Sequence, residues 1–497
     1  MLLKWTILLF PQTAVVPFCL IVALCGCVPS ENSDPDNSIN SHHATPNIVL
    51  ILIDDLGKEW ISCYGAQDIV TPNIDALAEE GLKFNAAYCM PQCTPSRVTL
   101  LTGQYPFRHG WVNHWDVPRW GGGAHFDESI NPSLGIEMKK LGYRTCIAGK
   151  WQIDDFRVEP KALLNNGFED FCMWTGYETG VPSSGERYWD PYLFTKDGSR
   201  TYTGQFGPDI FRSFIDKFIR KNRNHPFFVY YPMVLTHTPL ITTPDDLEAL
   251  ATDLEKHKAM VRYTDKIVGQ LLATLDELSL RNNTMVILTT DNGSTRAITG
   301  NRNGVEVKGA KSMTSEAGVC IPFIVSWPGS LTKPGETEAL IDFTDLFPTL
   351  IEAAGGNYKS SKYKIDGQSF YPLLTASENY KPRKWIMSMG GGNQARLTNN
   401  GVENQYVFRD RVIRNQRYKL YLDSQKEARS LYDLIRDPEE INDILDSLDM
   451  GNVSNEIEDL LQAVTSFPDR DNEPRYQPNP PQSWDVEITA ESQQWKL

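Results

Sequence analysis

Two pairs of oxygen-bearing residues stand where hydrophobic runs stop. "PNIVLILIDDLG" (46–57) breaks at Asp54-Asp55, and "NTMVILTTDNG" (283–293) breaks at Asp291-Asn292. Three carboxylates and one amide oxygen brought together are hard ligands that suit calcium or magnesium. Either pair alone also reads as a helix N-cap or Asx-turn, because Asp and Asn favour those places. Two pairs at equivalent strand ends point to the cation. A third stretch, "CTPSRVTLLTG" (93–103), puts a thiol at the foot of a predicted helix, with Pro95 fixing the first turn, Arg97 one turn on and Gly103 at the close. A helix N-terminus lowers a thiol pKa, so Cys93 is a candidate nucleophile. A thiolate is nevertheless a poor ligand for calcium or magnesium. The mismatch implies that sulfur is not the working atom.

The same runs name the elements that must position these groups. Residues 46–57, 225–234 and 283–293 are apolar, β-branched runs, the pattern of strands buried on both faces of a parallel sheet. Residues 319–329 add a further strand. "TPNIDALAEEG" (71–81) is a helix with Thr71 as N-cap, Pro72 at the first helical position and Gly81 at its end. A long helix is predicted over 253–278. Strands alternating with helices give an open α/β sheet, which binds ligands at the carboxyl ends of its strands. After about residue 375 the pattern changes. "RDRVIRNQRYKLYLD" (409–423) alternates like antiparallel strands turning at Asn415-Gln416, "EEINDILDSLD" (439–449) reads as a short helix, and the tail from 468 is Pro-rich and extended. The expected organisation is a targeting segment (1–27), a polar tether (28–45), an α/β catalytic domain (46–375), a smaller α+β subdomain with an antiparallel sheet (376–467) and a tail (468–497).

The chain has 497 residues and a formal net charge of -15, which argues against a nucleic-acid partner. Residues 1–27 read as an export signal, and Leu24-Cys25-Gly26-Cys27 resembles a bacterial lipobox, implying lipidation of Cys27. An ordinary cleaved signal and an uncleaved anchor are the rival readings. The expected location is the bacterial periplasm or an outer-membrane-anchored lipoprotein, with membrane contact only through that lipid. The remaining cysteines, Cys63, Cys89, Cys93, Cys146, Cys172 and Cys320, show no disulfide or zinc-site spacing.

Cys93-Thr94-Pro95-Ser96-Arg97, followed by Leu101-Thr102-Gly103, resembles the signature of the type I, formylglycine-dependent sulfatases of the alkaline phosphatase-like superfamily. The resemblance extends through "TPNIDALAEEGLKFNAAYC", "GYRTCIAGKW", "TTDNG", "KGAKSMTSEAGVCIPFIVSWPG", "DFTDLFPTLIEAAG" and "RYKLYLDSQKEARSLYDLIRDPEE", and so covers most of 46–437. It implies a large mixed, mostly parallel sheet sandwiched by helices, and a maturation enzyme that oxidises Cys93 to formylglycine. By the same resemblance Asp54, Asp55, Asp291 and Asn292, with the modified Cys93, match ligands of a metal that is usually calcium, magnesium being the alternative. Arg97 matches the arginine that stabilises the formylglycine diol. Lys150 matches a lysine bridging the modified residue and the sulfate. His237 and Lys311 match groups that hold the sulfate and protonate the leaving alcohol.

The chain departs from the family at Gln152, in "KWQ", where a histidine is usual. Glutamine hydrogen-bonds but is no base near neutral pH. His109 reads equally well as a structural or a site residue. Trp111, Trp115, Trp120, Trp174, Tyr177, Tyr188 and Trp189 fall in loops where aromatics stack on sugars. Arg119, Arg187, Arg296 and Arg302 could hold a uronate or a second sulfate. Arg296 and Arg302 are expected at the pocket mouth, because they follow Asp291-Asn292. The function expected is hydrolysis of sulfate esters on a sulfated carbohydrate. The alternatives are a phosphate mono- or diester hydrolase of the same superfamily, and a non-catalytic glycan-binding lipoprotein.

Overall fold

Strand β1 (Asn47–Ile53) shows why the chain folds into layers. All seven of its residues are buried, and the two-residue period sends Ile48, Leu50 and Leu52 to one face and Val49, Ile51 and Ile53 to the other. Both faces must therefore be covered. On the first lie helix α2 (Cys93–Thr102), through Val98, Leu100 and Leu101, and helix α5 (Leu346–Ala353), through Leu346, Phe347 and Leu350. On the second lie α1 (Pro72–Glu79), α3 (Gly207–Asn222) and α4 (Asp253–Glu277), which bury Ile74 and Leu77, Phe211 and Ile215, and Met260, Ile267 and Leu271. Helix α4 starts on a capping box between Thr252 and Glu255, which satisfies backbone donors its first turn leaves free. The computed structural model describes residues 45–114, 122–156, 159–174, 187–246, 248–390, 392, 394–447, 454–478 and 488–495. The expected targeting segment, Cys27, and the tether up to residue 44 lie outside them.

The sheet has ten strands among the described residues. Their order is Gly335–Thr337 (β10), Leu82–Phe84 (β2), Phe323–Ser326 (β9), Thr284–Thr290 (β8), β1, Phe227–Pro232 (β7), Arg144–Lys150 (β3), Asp170–Trp174 (β4), Tyr192–Thr195 (β5) and Gly198–Thr201 (β6). The five central strands, β8-β1-β7-β3-β4, run parallel. Strands β9 and β2 on one flank, and β5 and β6 on the other, run antiparallel to their inner neighbours. The centre is the doubly covered part, as parallel strands require. In-register pairing of Ile53 with Thr290 brings the residues after β1 beside those after β8.

A second sheet of β11 (Ile386–Met389), β12 (Arg411–Arg414), β13 (Tyr418–Leu422) and β14 (Ala428–Asp433) is wholly antiparallel. Its β12–β13 turn is held by Asn415, whose side-chain oxygen accepts from the amides of Arg417 and Tyr418. Helix α6 (Asn455–Thr465) lays Ile457, Leu460 and Val464 against Met387, Ile413 and Leu420, and Tyr105 and Phe107 join that core from the segment after α2. Buried Lys419 bonds Glu316 at 3.0 Å and Glu440 at 2.8 Å. The part expected as a subdomain thus shares its core and its charges with the main sheet, and Ala44–Leu497 form one compact unit.

Three expectations need correction. The predicted helix over 439–449 is absent: residues 439–444 make turns and loop, and a single 3-10 turn covers Leu445–Ser447, with 448–449 outside the described residues. Acidic side chains in it and just before it bind elsewhere. Asp437 accepts from the amides of Ile441 and Asn442, Asp443 accepts from Leu431 and Leu445, and Glu440 sits at φ 57° to reach Lys419. Such side-chain bonds compete with helical ones. The strand expected over 319–329 is two pieces, Cys320–Ile321 and β9, broken at Pro322, which has no N–H to give a ladder. The tail is not simply extended, since Arg475–Pro478 pairs antiparallel with Gly122–His125 and residues 490–493 make turns.

Candidate active site

Asp54 and Asp55 leave β1, and Asp291 and Asn292 leave β8, at the same level of the sheet. Asp55 takes a left-handed conformation, φ 62°, and its amide donates to Asp291 Oδ1 at 3.2 Å. Asn292 Nδ2 donates to Asp55 Oδ1 at 2.7 Å. Lys150 ends β3 two strands away, and its Nζ reaches Asp54 Oδ2 at 2.7 Å. Gly149 makes that reach possible: at φ 123° it passes so close to Pro232 that a Cβ would lie 1.9 Å from the carbonyl oxygen. Lys311 Nζ bonds Asp55 Oδ2 at 2.7 Å. Helix α2 brings Arg97, whose Nε and Nη2 donate to Asp291 Oδ2 at 3.1 and 2.6 Å and whose Nη1 donates to the Lys150 carbonyl at 2.8 Å. Ligand atoms of Cys93, Asp54, Asp55 and His237 all lie within 4.8 Å of one another.

Three carboxylates therefore face three cationic side chains. Burial alone would raise the Asp54 carboxyl, but Lys150 and Arg97 hold it well below the usual carboxylate range. Burial opposes ionisation of Asp55 as well, and Lys311 overcomes it. Asp291 is different: burial and the charge on Asp54 push it up to about 7 despite Arg97. Asp54 Oδ1 and Asn292 Oδ1 are buried without a hydrogen-bond partner. Orphaned oxygens beside a carboxylate that resists ionisation fit a hard divalent cation, which would satisfy both. An added divalent ion would leave the pocket with surplus positive charge, the polarity an anionic ester needs.

Cys93 is the first residue of α2 and 3% exposed. Burial pushes its thiol up, against the lowering expected from the helix N-terminus. Burial brings His237 down to about 3, so the ring is neutral. Its Nδ1 lies 2.6 Å from the Thr238 carbonyl, which demands a proton there, and 3.2 Å from Arg187 Nη1, which demands a lone pair. Only one of these bonds forms at a time. Nε2 faces Asp55 Oδ2 at 3.6 Å.

A cavity of about 250 Å³ opens over this cluster. It brings together Cys93, Lys150, Gln152, His237 and Lys311 of the expected set. Gln152 stands at φ 56° with its Oε1 buried and unpartnered. The wall also holds Gln92, His114 and Ser312, which sequence reasoning missed, together with Trp174 and Arg187. His114 carries no periodic or motif signal, and only its being a histidine in an aromatic stretch marked it. Arg296 and Arg302 are not at this mouth. Arg296 is exposed on a turn, and Arg302 lies on a hairpin strand, Thr299–Arg302, that lines a separate cleft with Lys58 and Glu59. The chain after Asn292 runs out along that hairpin instead of over the pocket.

His109 is structural: it is buried, accepts from the Trp111 amide and pairs with Thr99 of α2. Trp111 is fully buried in the core, Tyr188 is buried with its hydroxyl donating to the carbonyls of Val234 and His237, and Trp189 is 39% exposed outside the cavity. Trp115, Arg119, Trp120 and Tyr177 lie outside the described residues. The six described cysteines are all free, and no helix among the described residues is long and apolar enough to cross a membrane.

Comparison with known proteins places this geometry in a family. The sulfatase family model matches residues 46–356, and the model for the C-terminal part of N-sulphoglucosamine sulphohydrolase matches 310–466. Human N-acetylgalactosamine-6-sulfatase is 31% identical over 356 residues, which are 66% of each chain. The chain thus spans about two thirds of that relative's length. An N-acetylgalactosamine-6-O-sulfatase of Bacteroides thetaiotaomicron is 27% identical over 89% of this chain and 97% of its own. Among solved structures, Ps i-CgsB superposes with a TM-score of 0.69 at 24% identity, covering 85% of this chain and 93% of the other. That likeness shows the shared fold.

Proposed function

We propose that this chain, which belongs to the sulfatase family, hydrolyses a sulfate ester on a sulfated carbohydrate and releases inorganic sulfate. In this reading Cys93 is oxidised to formylglycine by a maturation enzyme, and Asp54, Asp55, Asp291 and Asn292 hold calcium, or magnesium in its place. The observation that carries it is the convergence of Cys93 with the carboxylates of two adjacent strand ends and with Lys150, Lys311 and His237 around one cavity. The relatives named above act on N-acetylgalactosamine sulfates, which supports a sulfated sugar as substrate.

Each group has a part. A hydrated aldehyde supplies two hydroxyls on one carbon, one to displace the alcohol at sulfur and one to expel sulfate afterwards. A bound divalent cation supplies a positive charge beside the sulfuryl oxygens. Lys150 and Lys311 stand where those oxygens need donors, and Asp54 and Asp55 keep both amines aimed into the cavity. Burial would lower the Lys311 amine, but Asp55 holds it above its ordinary value, so it stays protonated and can donate. His237 Nε2 is the other group placed to exchange a proton with the departing oxygen. Arg97 does not face the substrate. It fixes Asp291 and the Lys150 carbonyl, and so holds α2 and two strand ends in register. Gln152 offers its Oε1 as an acceptor in place of the family histidine, so proton removal falls to other groups.

Export and lipidation at Cys27 would place this activity at an outer cell surface. Protein co-produced with a formylglycine-generating enzyme should release sulfate from sulfated N-acetylhexosamines and aryl sulfates, and should prefer them to matched phosphate esters. Peptide mass spectrometry should find aldehyde at position 93. Turnover by preparations holding only thiol there would end this reading, and preference for phosphate would move it to the alternative ester.

A further inference from the structure

Among the described residues, Arg187 is the one cation of the cavity wall that the sulfate chemistry leaves unused. It is 7% exposed, and no carboxylate of the described residues lies within ion-pair distance of it. Its guanidinium stacks 4.0 Å from the ring centre of Trp174, which fixes the plane of the fork. Among the described residues only Nη1 has a hydrogen-bond partner, His237 Nδ1. The Nε–Nη2 edge, the side that grips an oxyanion with two parallel bonds, has none, and Nε is buried and unsatisfied. Trp174 Nε1 is likewise buried and unpartnered, and both residues line the cavity that holds Cys93. Lys150, Lys311 and Arg97 each answer a carboxylate, whereas Arg187 answers none among the described residues. A buried cation with its fork and a neighbouring indole N–H unsatisfied is built for an anion that arrives with the ligand.

We propose that Arg187 and Trp174 form a second-anion subsite, which recognises either a uronate carboxylate on a linked sugar or a second sulfate on the sugar whose sulfate ester sits over Cys93. This rests on the sulfatase reading and deepens it: the preferred substrate carries two anionic groups, and Arg187 determines that preference.

The test uses binding first. In a Cys93→Ala background, calorimetry compares four probes: 6-sulfated N-acetylgalactosamine, the same sugar linked to glucuronate, the methyl ester of that disaccharide, and N-acetylgalactosamine 4,6-disulfate. If the carboxylate is read, the free disaccharide binds at least tenfold more tightly than its methyl ester. If a second sulfate is read, the disulfate binds at least tenfold more tightly than the monosulfate. With Arg187→Gln added, the advantage falls to within about twofold, and with Arg187→Lys, which keeps the charge and loses the fork, it falls most for the carboxylate. In matured protein, Arg187→Gln should lower kcat/KM at least tenfold more on the favoured dianionic substrate than on the monosulfate, chiefly through KM. An advantage that survives Arg187→Gln, no advantage for either second anion, or an equal loss on all substrates would overturn the proposal. Absence of sulfate release from every ester, aryl sulfates included, would instead strike the sulfatase reading, and the calorimetry would still judge Arg187.

Discussion

Replacing Arg97 with leucine tests whether the candidate cation and Arg97 hold the same carboxylate. Arg97 and Asp291 are both fully buried, with Nη2 and Oδ2 2.6 Å apart. Leucine fills part of the volume but removes two bonds to Asp291 and one to the Lys150 carbonyl. Stranding one partner of a buried ion pair costs about 3–5 kcal/mol, and the carbonyl left unpaired adds about 1 kcal/mol. In a chelator the variant should therefore unfold with a free energy lower by about 4–6 kcal/mol, at least a thousandfold in the equilibrium constant. Urea unfolding followed by tryptophan fluorescence measures it. Adding Asp291→Asn removes the stranded charge, so the double variant should recover at least about 1.5 kcal/mol relative to additivity. Millimolar calcium should recover part of the loss in the single variant, because the ion supplies the missing opposite charge, and none in the double variant. A single variant within about 1 kcal/mol of the parent protein, or a double variant that is strictly additive, would refute the reasoning.

Three further outcomes are expected. Glu316 is held down to about 2, against an ordinary value of 4.5, because Lys419 and Arg414 outweigh its burial. Its folded value lies below its unfolded one, so its contribution of about 3 kcal/mol is present above pH 4.5 and is lost as the pH falls towards 2; Glu316→Gln should flatten acid unfolding in that window. Gly149→Ala has no room at φ 123° against the Pro232 carbonyl, and should displace Lys150, reducing sulfate release at least a hundredfold and lowering stability by about 2 kcal/mol or more. Chelation should abolish sulfate release and lower the melting temperature together, and calcium should restore both; activity unaffected by thorough chelation would remove the cation from the proposed site.

Three of the five central strands, β1, β7 and β8, could be read from the chain because they are buried on both faces, whereas β3 and β4 were not read. Runs such as 46–53 and 284–290 have no polar face, and their abrupt ends mark the ligand edge. Asp54, Asp55, Asp291 and Asn292 were legible for that reason. The arrival of Lys150, His237 and Lys311 at the same edge depends on strand order, which no local pattern encodes; only the resemblance to a family pointed to them. Arg187 and Arg302 looked alike in sequence. A hairpin carried one away, and a stacking partner, Trp174, held the other in the wall. The helix expected over 439–449 had suitable periodicity, but Asp443 accepted backbone amides and Glu440 turned to Lys419 instead.

On the proposed reading, the depth of Cys93 sets an order of events. Thr94, Ser96 and Arg97 have no solvent exposure, and every residue of α2 is interior. An oxidising enzyme that must grasp this stretch would find it sealed beneath the sheet once the domain has closed. On the proposed reading, conversion has to overtake folding. A polypeptide that collapses first is trapped as an inert thiol form, whatever it meets later. The yield of working molecules is then set by a race between two rates, and faster folding would make a poorer enzyme preparation.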